Sequence, residues 1–260
     1  MSDVVDGTGV VERLRAAGCV FAEEEAEMLL AAAAGPAELD LLVERRASGL
    51  PLEHVVGWAE FAGLRVEVDG GVFVPRRRTE FLIEHAVGSA RPGAVCVDLC
   101  CGSGAAAAVL LDRVEAAEVH ASDIEPAAVR CARRNVEPRG GRVYEGDLFA
   151  PLPPDLRGRV EILVANVPYV PTGDIGLLPP EARDHEPLVT LDGGPDGLDV
   201  LRRVAAEAPR WLAPDGRLLV ETSERQAERA VAAVTACGLE AHVLNCEERY
   251  ATVLVATRAG

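Results

Sequence analysis

The run Asn166-Val167-Pro168-Tyr169 carries the residue types of a site for a planar NH2 group. The Asn166 side-chain oxygen and the Val167 carbonyl can each accept one N–H. Tyr169 offers a flat ring on which such a group stacks. Pro168 biases Val167 away from helical geometry, which helps to aim its carbonyl. The run follows Val160 to Ala165, an apolar stretch that reads as a buried strand entering a turn. An ordinary strand-end turn is the other reading of these four residues.

A second constellation lies upstream. Ala94 to Leu99 reads as a short buried strand; it enters Cys100-Cys101-Gly102-Ser103-Gly104 and then the helix-forming run Ala105 to Leu111. Strand, glycine-rich turn and helix bring a cofactor against backbone N–H groups at a helix start. Glu118 to Ser122 is the next strand, and Asp123 stands at its tip, about 20 residues after the glycines, where an acid bonds ribose hydroxyls. Gly102 to Ala107 also fits the dinucleotide fingerprint with alanine in the last place. Asp98 separates the two readings. An acid directly before the turn suits the positively charged amino group of an S-adenosylmethionine tail and has no clear use beside a pyrophosphate. With Asn166 to Tyr169 after the fourth strand, it favours a methyltransferase over a dehydrogenase.

The elements that position these residues alternate. Strands are expected near 94–99, 117–122, 141–145, 160–165 and 216–221, and helices near 79–90, 104–113, 125–135, 197–211 and 223–237, with Thr79 as an N-cap. Such alternation indicates a mainly parallel sheet covered on both faces. Strands at 240–245 and 250–257 close the chain as a hairpin. Residues from about Val10 to Arg46 read as helices, broken at Gly35-Pro36 and again at Ser48 to Pro51. A hairpin is expected between Glu60 to Val68 and Val72 to Val74, turning at Asp69-Gly70-Gly71. The expected division is therefore a helical substrate-recognition domain at 1–57, a β-hairpin linker at 58–75 and a catalytic domain at 76–260.

Composition narrows the class. The chain has 260 residues, 49% of them hydrophobic but only 4% aromatic, so Ala, Val and Leu must fill the core. The net charge of −16 argues against a broad nucleic-acid surface, which needs clustered cations. All 26 basic residues are arginine. The seven cysteines and five histidines show no metal-ligand spacing, and the thiols read as small reduced hydrophobes. No apolar run reaches the ~18 residues of a membrane span. The acidic start, Met1 to Asp6, lacks the features of a signal peptide, which points to the cytoplasm.

With these residues in view, the chain resembles the HemK-type protein-glutamine N-methyltransferases, which methylate the side-chain amide of a glutamine in peptide release factors. The resemblance covers nearly the whole chain from about Glu24. It includes Arg45-Arg46, Gly49, Pro51, Gly57, Phe61, Pro75-Arg76, Thr79-Glu80, Asp98-Leu99, Gly102-Ser103-Gly104, Asp123 and Arg134-Asn135. It continues through Gly146 to Phe149, Asn166, Pro168-Tyr169, Glu186-Pro187, Gly193-Gly194, Asp196 to Leu198, Glu221 and Gln226. There are departures. Val167 stands where the family has the first proline of Asn-Pro-Pro-Tyr, Cys100 and Cys101 replace Gly and Thr, and Arg77 and Arg78 replace Pro and an acid. The helical region is also shorter.

The resemblance implies a Rossmann-like S-adenosylmethionine-dependent methyltransferase fold: a mostly parallel seven-stranded sheet whose last strand inserts antiparallel, preceded by the helical domain and hairpin. It implies that Asp98, Cys100 and the Gly102 to Gly104 backbone hold the amino-acid tail of S-adenosylmethionine. Asp123 would hold the ribose, and Asp147 and Leu148 the adenine. Asn166, Val167, Pro168 and Tyr169 would orient the acceptor, with Asn166 also beside the cofactor. Arg76, Thr79, Glu186 and Pro187 would line the acceptor side, although Glu186-Pro187 and Gly193 to Gly197 read equally as turn chemistry. The implied partner is a glutamine-bearing protein, such as a release factor, and neither nucleic acid nor membrane. Two other readings stay open: a methyltransferase for an exocyclic amino group of a nucleic acid or small molecule, and a cofactor-binding relative without turnover.

Overall fold

The computed structural model describes residues 7–258. The acidic start Met1 to Asp6, expected to carry no signal peptide, lies outside the described residues. Four helices come first: α1 (Gly7–Ala16), α2 (Ala22–Ala32), α3 (Pro36–Ala47) and α4 (Leu52–Val56). They enclose an apolar cluster of their own, built on Val10, Leu14, Ala26, Leu29, Leu39, Val43 and Val55. Pro36 opens α3 at its first turn, where its missing N–H costs no hydrogen bond. Gly57 closes α4 in the left-handed conformation that favours glycine.

Next comes an antiparallel hairpin, β1 (Trp58–Phe61) and β2 (Leu64–Glu67), paired from Trp58↔Glu67 to Phe61↔Leu64. The expected turn at Asp69-Gly70-Gly71 is therefore corrected. The hairpin turns at Ala62-Gly63, inside the stretch expected to be one strand, and 72–74 form no strand. Both turn residues have positive φ, 50° and 78°, as a two-residue hairpin of the favoured hand requires. Alanine seldom adopts that conformation, so the turn is invisible to composition. Tertiary contacts hold it: Glu80 accepts the Ala62 N–H at 2.9 Å and Arg113 donates to the Ala62 carbonyl. Nor is the hairpin a free joint. Phe61 and Val66 are buried in the main core. Asn135 binds both the N–H and the carbonyl of Glu67 at 2.9 Å while donating to the Ser103 carbonyl.

The remainder is α5 (Thr79–Ser89), β3 (Val95–Leu99), α6 (Ala105–Arg113), β4 (Glu118–Asp123), α7 (Pro126–Val136), β5 (Arg142–Glu145), β6 (Val160–Ala165), α8 (Pro180–His185), α9 (Asp199–Trp211), β7 (Leu212–Thr222), α10 (Ala227–Thr235), β8 (Leu239–Cys246) and β9 (Ala251–Arg258). The sheet runs β5-β4-β3-β6-β7-β9-β8. Its first five strands are parallel, and β9 lies antiparallel between β7 and β8. One apolar cluster fills each face. The alanines of α6 let that helix lie close to the sheet, with Ala107 and Ala108 fully buried. Among the described residues no helix is long and apolar enough to cross a membrane.

Two local expectations change. β7 starts at Leu212, not 216, because Pro214-Asp215-Gly216 is a bulge within the strand: its partners on β6 jump from Val160↔Leu212 to Ile162↔Arg217. A Cβ at Gly216 would stand 2.6 Å from the Val160 carbonyl, so only glycine permits this approach. Thr79 does not cap α5. Its hydroxyl donates instead to the buried carboxylate of Glu221 at 2.6 Å.

The chain leaves β3 toward β4 and β5 on one side, then crosses back to β6 and β7 on the other. The crevice at this reversal, outside the carboxyl ends of β3 and β6, is where open α/β sheets bind ligands. Asp98, Asp123, Asn166 and Glu221 sit at or just beyond the carboxyl ends of β3, β4, β6 and β7, respectively.

Candidate active site

A cleft of about 920 Å3 opens at the strand reversal. That is near the top of the ~300–1,000 Å3 range of small-molecule pockets and leaves room for a cofactor and an acceptor side chain together. Asp98, Cys100, Gly102, Asp123, Asp147, Leu148, Asn166, Val167, Pro168, Tyr169, Arg76 and Thr79 all line it. The structure thus gathers residues spread over 94 positions of sequence. Gly104, Glu186 and Pro187 lie outside the lining.

Asp98 is 2% exposed and accepts the Ala107 N–H at 3.1 Å. Among the described residues it has no cationic partner. Burial, with the nearby charge of Asp123, pushes its carboxyl up to about 7. A buried carboxylate facing a cleft without a counter-ion is suited to a ligand ammonium. Asp123 accepts Gly102 N–H at 2.8 Å and Glu125 N–H at 2.9 Å, so it braces the glycine turn, and burial raises its carboxyl too. Asp147 pairs with Arg203, and the Leu148 carbonyl accepts the Ser122 hydroxyl at 2.8 Å.

The turn residues divide by task. Cys100 holds φ +54° and Gly102 φ +56°. A side chain in that region is strained, and glycine would relieve it. Burial raises the Cys100 thiol, with Asp123 and Asp98 adding to it, so it stays protonated. All seven cysteines are free thiols. Gly104 serves packing: a Cβ there would stand 2.8 Å from Val136 and 3.0 Å from Ala132 on α7.

On the other side, Val167 is buried and packs into the sheet's apolar cluster. Among the described residues no protein group hydrogen-bonds the Asn166 side chain or the Val167 carbonyl, so both acceptors are available. The Gly193 to Gly197 segment braces this turn from behind. Gly193 N–H donates to the Val170 carbonyl at 2.9 Å, and Gln226 donates to the carbonyls of Tyr169 at 2.9 Å and Asp196 at 3.0 Å. A Cβ on Gly197, at φ +75°, would fall 2.3 Å from the Tyr169 carbonyl. Gly197→Ala is therefore expected to cost roughly 2–4 kcal/mol, from strain and overpacking together. Urea unfolding checks this, and an unchanged midpoint would contradict it.

Glu186 reaches no cleft surface. Its carboxylate is fully buried, takes two bonds from Arg76 at 2.6 and 2.7 Å, and accepts the Val74 N–H at 3.1 Å. It ties the segment before α5 to the segment after α8. Arg46 makes a second tie: it pairs with buried Glu25 at 2.6 Å and reaches Glu181, a cleft residue, at 2.7 Å.

One arrangement was not anticipated. Arg78 donates to Glu221 at 2.7 Å and to the Tyr169 hydroxyl at 2.5 Å, and that hydroxyl donates to Glu221 at 2.8 Å. Arg77 and Arg78 are both exposed, but only Arg78 makes these bonds and lines the cleft. An acid at the carboxyl end of β7, beside the strand reversal, is the signal that marks Glu221.

Fold and cleft together define an S-adenosylmethionine-dependent methyltransferase. The Methyltransferase small domain family model matches residues 64–175. The release factor glutamine methyltransferase of Mycolicibacterium smegmatis is 44% identical over 201 residues, covering 76% of this chain and 71% of that protein. The 4-amino-L-phenylalanine/4-methylamino-L-phenylalanine methyltransferase of Streptomyces pristinaespiralis is 37% identical over 209 residues, 77% of this chain and 70% of that protein. A methyltransferase structure from Pyrococcus furiosus shares the fold, with a TM-score of 0.58, at 16% identity over 76% of this chain and 91% of that one. The chain belongs to the HemK-type family of release factor glutamine methyltransferases.

Proposed function

We propose that this protein methylates the side-chain amide of a glutamine in a protein substrate, with a peptide release factor as that substrate. The observation that carries the reading is the pair of available acceptors, Asn166 Oδ1 and the Val167 carbonyl, beside Tyr169 in a cleft that also holds Asp98. S-adenosylmethionine supplies an activated methyl group when bound, and the residues present fit it. Asp98 would take its ammonium, the Gly102 backbone its tail, Asp123 its ribose, and Asp147 with Leu148 its adenine.

An amide nitrogen is a weak nucleophile, because its lone pair is delocalised. The protein's task is therefore positioning. Asn166 and Val167 each accept one amide N–H. They orient the nitrogen and favour the positive charge that grows on it. Tyr169 supports the flat face of the amide. No base is needed first, since the proton leaves after transfer. Arg76 and Thr79 shape the acceptor side, Arg76 held by Glu186. The helices of 1–57 form a recognition unit for the protein substrate, joined to the cleft through Arg46 and Glu181, with 58–75 as connection and 76–260 as the catalytic unit. The cytoplasm is the compartment of this reading.

The test is incubation of the protein with labelled S-adenosylmethionine and either an unmethylated bacterial release factor or 4-amino-L-phenylalanine. Label mapped by mass spectrometry to one glutamine supports the proposal. Label in the free arylamine alone moves the acceptor to a small aromatic amine, and label in neither removes the proposal.

A further inference from the structure

We propose that Arg78 and Glu221 are positioning residues that lock the Tyr169 ring for the acceptor; the inference rests on the glutamine-methylation reading for its acceptor. Tyr169 follows a turn, and its ring has rotational freedom of its own. The three groups come from different segments, with Arg78 directly before α5, Tyr169 after β6 and Glu221 on β7. Each hydrogen-bonding capacity of the phenol is used: it accepts from Arg78 and donates to Glu221. The hydroxyl therefore cannot turn into the cleft and compete for the oxygen of Asn166. Burial and the Glu221 charge raise the phenol, so it remains a donor throughout the working pH range.

The guanidinium sits at the hydroxyl end of the ring, its central carbon 5.9 Å from the centroid. Thr79 holds the second oxygen of Glu221, so the carboxylate itself cannot swing. Arg78 bridges two partners through its planar fork, which a lysine ammonium does not reproduce. Lysine does keep the charge that neutralises buried Glu221. Arg78→Lys thus separates ring positioning from simple charge balance. A reacting atom displaced by about 1 Å costs on the order of 100-fold in rate, so loosening the ring by a fraction of that is expected to cost about tenfold.

The test uses the full chain labelled with 3-fluorotyrosine, which reports on three tyrosines. The Tyr169 fluorine signal is assigned by its loss in Tyr169→Phe. It is expected to shift in Arg78→Lys and to stay in place in Arg77→Lys, with melting temperature preserved in both. With an unmethylated bacterial release factor as acceptor, Arg78→Lys and Tyr169→Phe should each lower kcat about tenfold. The double variant should be no slower than the slower single, because Arg78 acts through the phenol. S-adenosylmethionine affinity should stay within twofold of the parent. An unmoved Tyr169 signal in Arg78→Lys, or rate losses that multiply in the double variant, would overturn the lock. Should the parent leave the release factor unmethylated, that failure falls on the proposed substrate, and the fluorine signal still decides the lock.

Discussion

Replacing Asn166 with alanine is expected to lower methyl transfer by about 100- to 1,000-fold while S-adenosylmethionine affinity changes by less than about threefold. The size follows from the loss of one preorganised hydrogen-bonding group aimed at the reacting atom, which typically costs that much in kcat. The asymmetry follows from the geometry. Asn166 lies in the turn after β6 with its side chain uncommitted among the described residues, so alanine leaves no protein donor stranded. The polypeptide around it is held by Gln226 and the Gly193 to Gly197 segment, not by the Asn166 side chain. The measurement is initial rate with saturating release factor, beside calorimetric titration of the cofactor. A variant that keeps the parent's rate removes Asn166 from the reaction. A variant that loses cofactor binding in parallel makes it a cofactor residue only.

Asp98→Asn is expected to act in opposite directions on stability and on cofactor binding. The folded-state carboxyl is raised to about 7, chiefly by burial, from about 3.9 in the unfolded chain. For a raised group, the contribution to stability is fully present below the unfolded value and is lost as pH rises through the folded one. The cost of Asp98 to the free protein therefore grows from about pH 4 and is complete above about pH 7. Removing it should raise unfolding free energy at pH 8 by on the order of 2 kcal/mol, with little gain at pH 4. Asparagine keeps an oxygen that can accept the Ala107 N–H, so the variant is expected to fold.

Binding runs the other way. A ligand ammonium prefers the ionised carboxylate, so the parent must release a proton from Asp98 when it binds below pH 7. Its affinity for S-adenosylmethionine should fall about tenfold per pH unit from 6 to 5. The variant should bind roughly 30- to 1,000-fold more weakly at pH 7.5, in keeping with loss of a buried charge pair, and its affinity should be flat with pH. Titrations at pH 5, 6 and 7.5 on both proteins decide this. Equal pH slopes in parent and variant would show that another group titrates.

Both halves of the site are written in local sequence. The cofactor half is local in sequence: a buried strand, an acid, a glycine turn and a helix of small residues follow one another within Val95–Arg113. Periodicity and turn chemistry act over such distances, so Asp98, Gly102 and Asp123 could be placed directly. The same holds for Asn166 to Tyr169, where proline and strand end adjoin. Asp69-Gly70-Gly71 carries the usual turn residues, whereas the hairpin turns with an alanine at positive φ. That conformation is held by Glu80 and Arg113, which no local pattern reveals.

Sequence alone determined the alternating elements, the closing pair of strands, and the strand ends and turns on which Asp98 and Asn166 stand. Each is written in periodicity and turn chemistry, which act between near neighbours. Only the tertiary structure decided that Glu186 serves Arg76 and not the cleft, that Thr79 serves Glu221 and not its helix, and that Arg78 meets Tyr169. Those contacts join residues 91 to 142 positions apart. They exist because the crossover from β5 to β6 brings separate strand ends to one crevice. There a buried carboxylate must find donors wherever the fold supplies them.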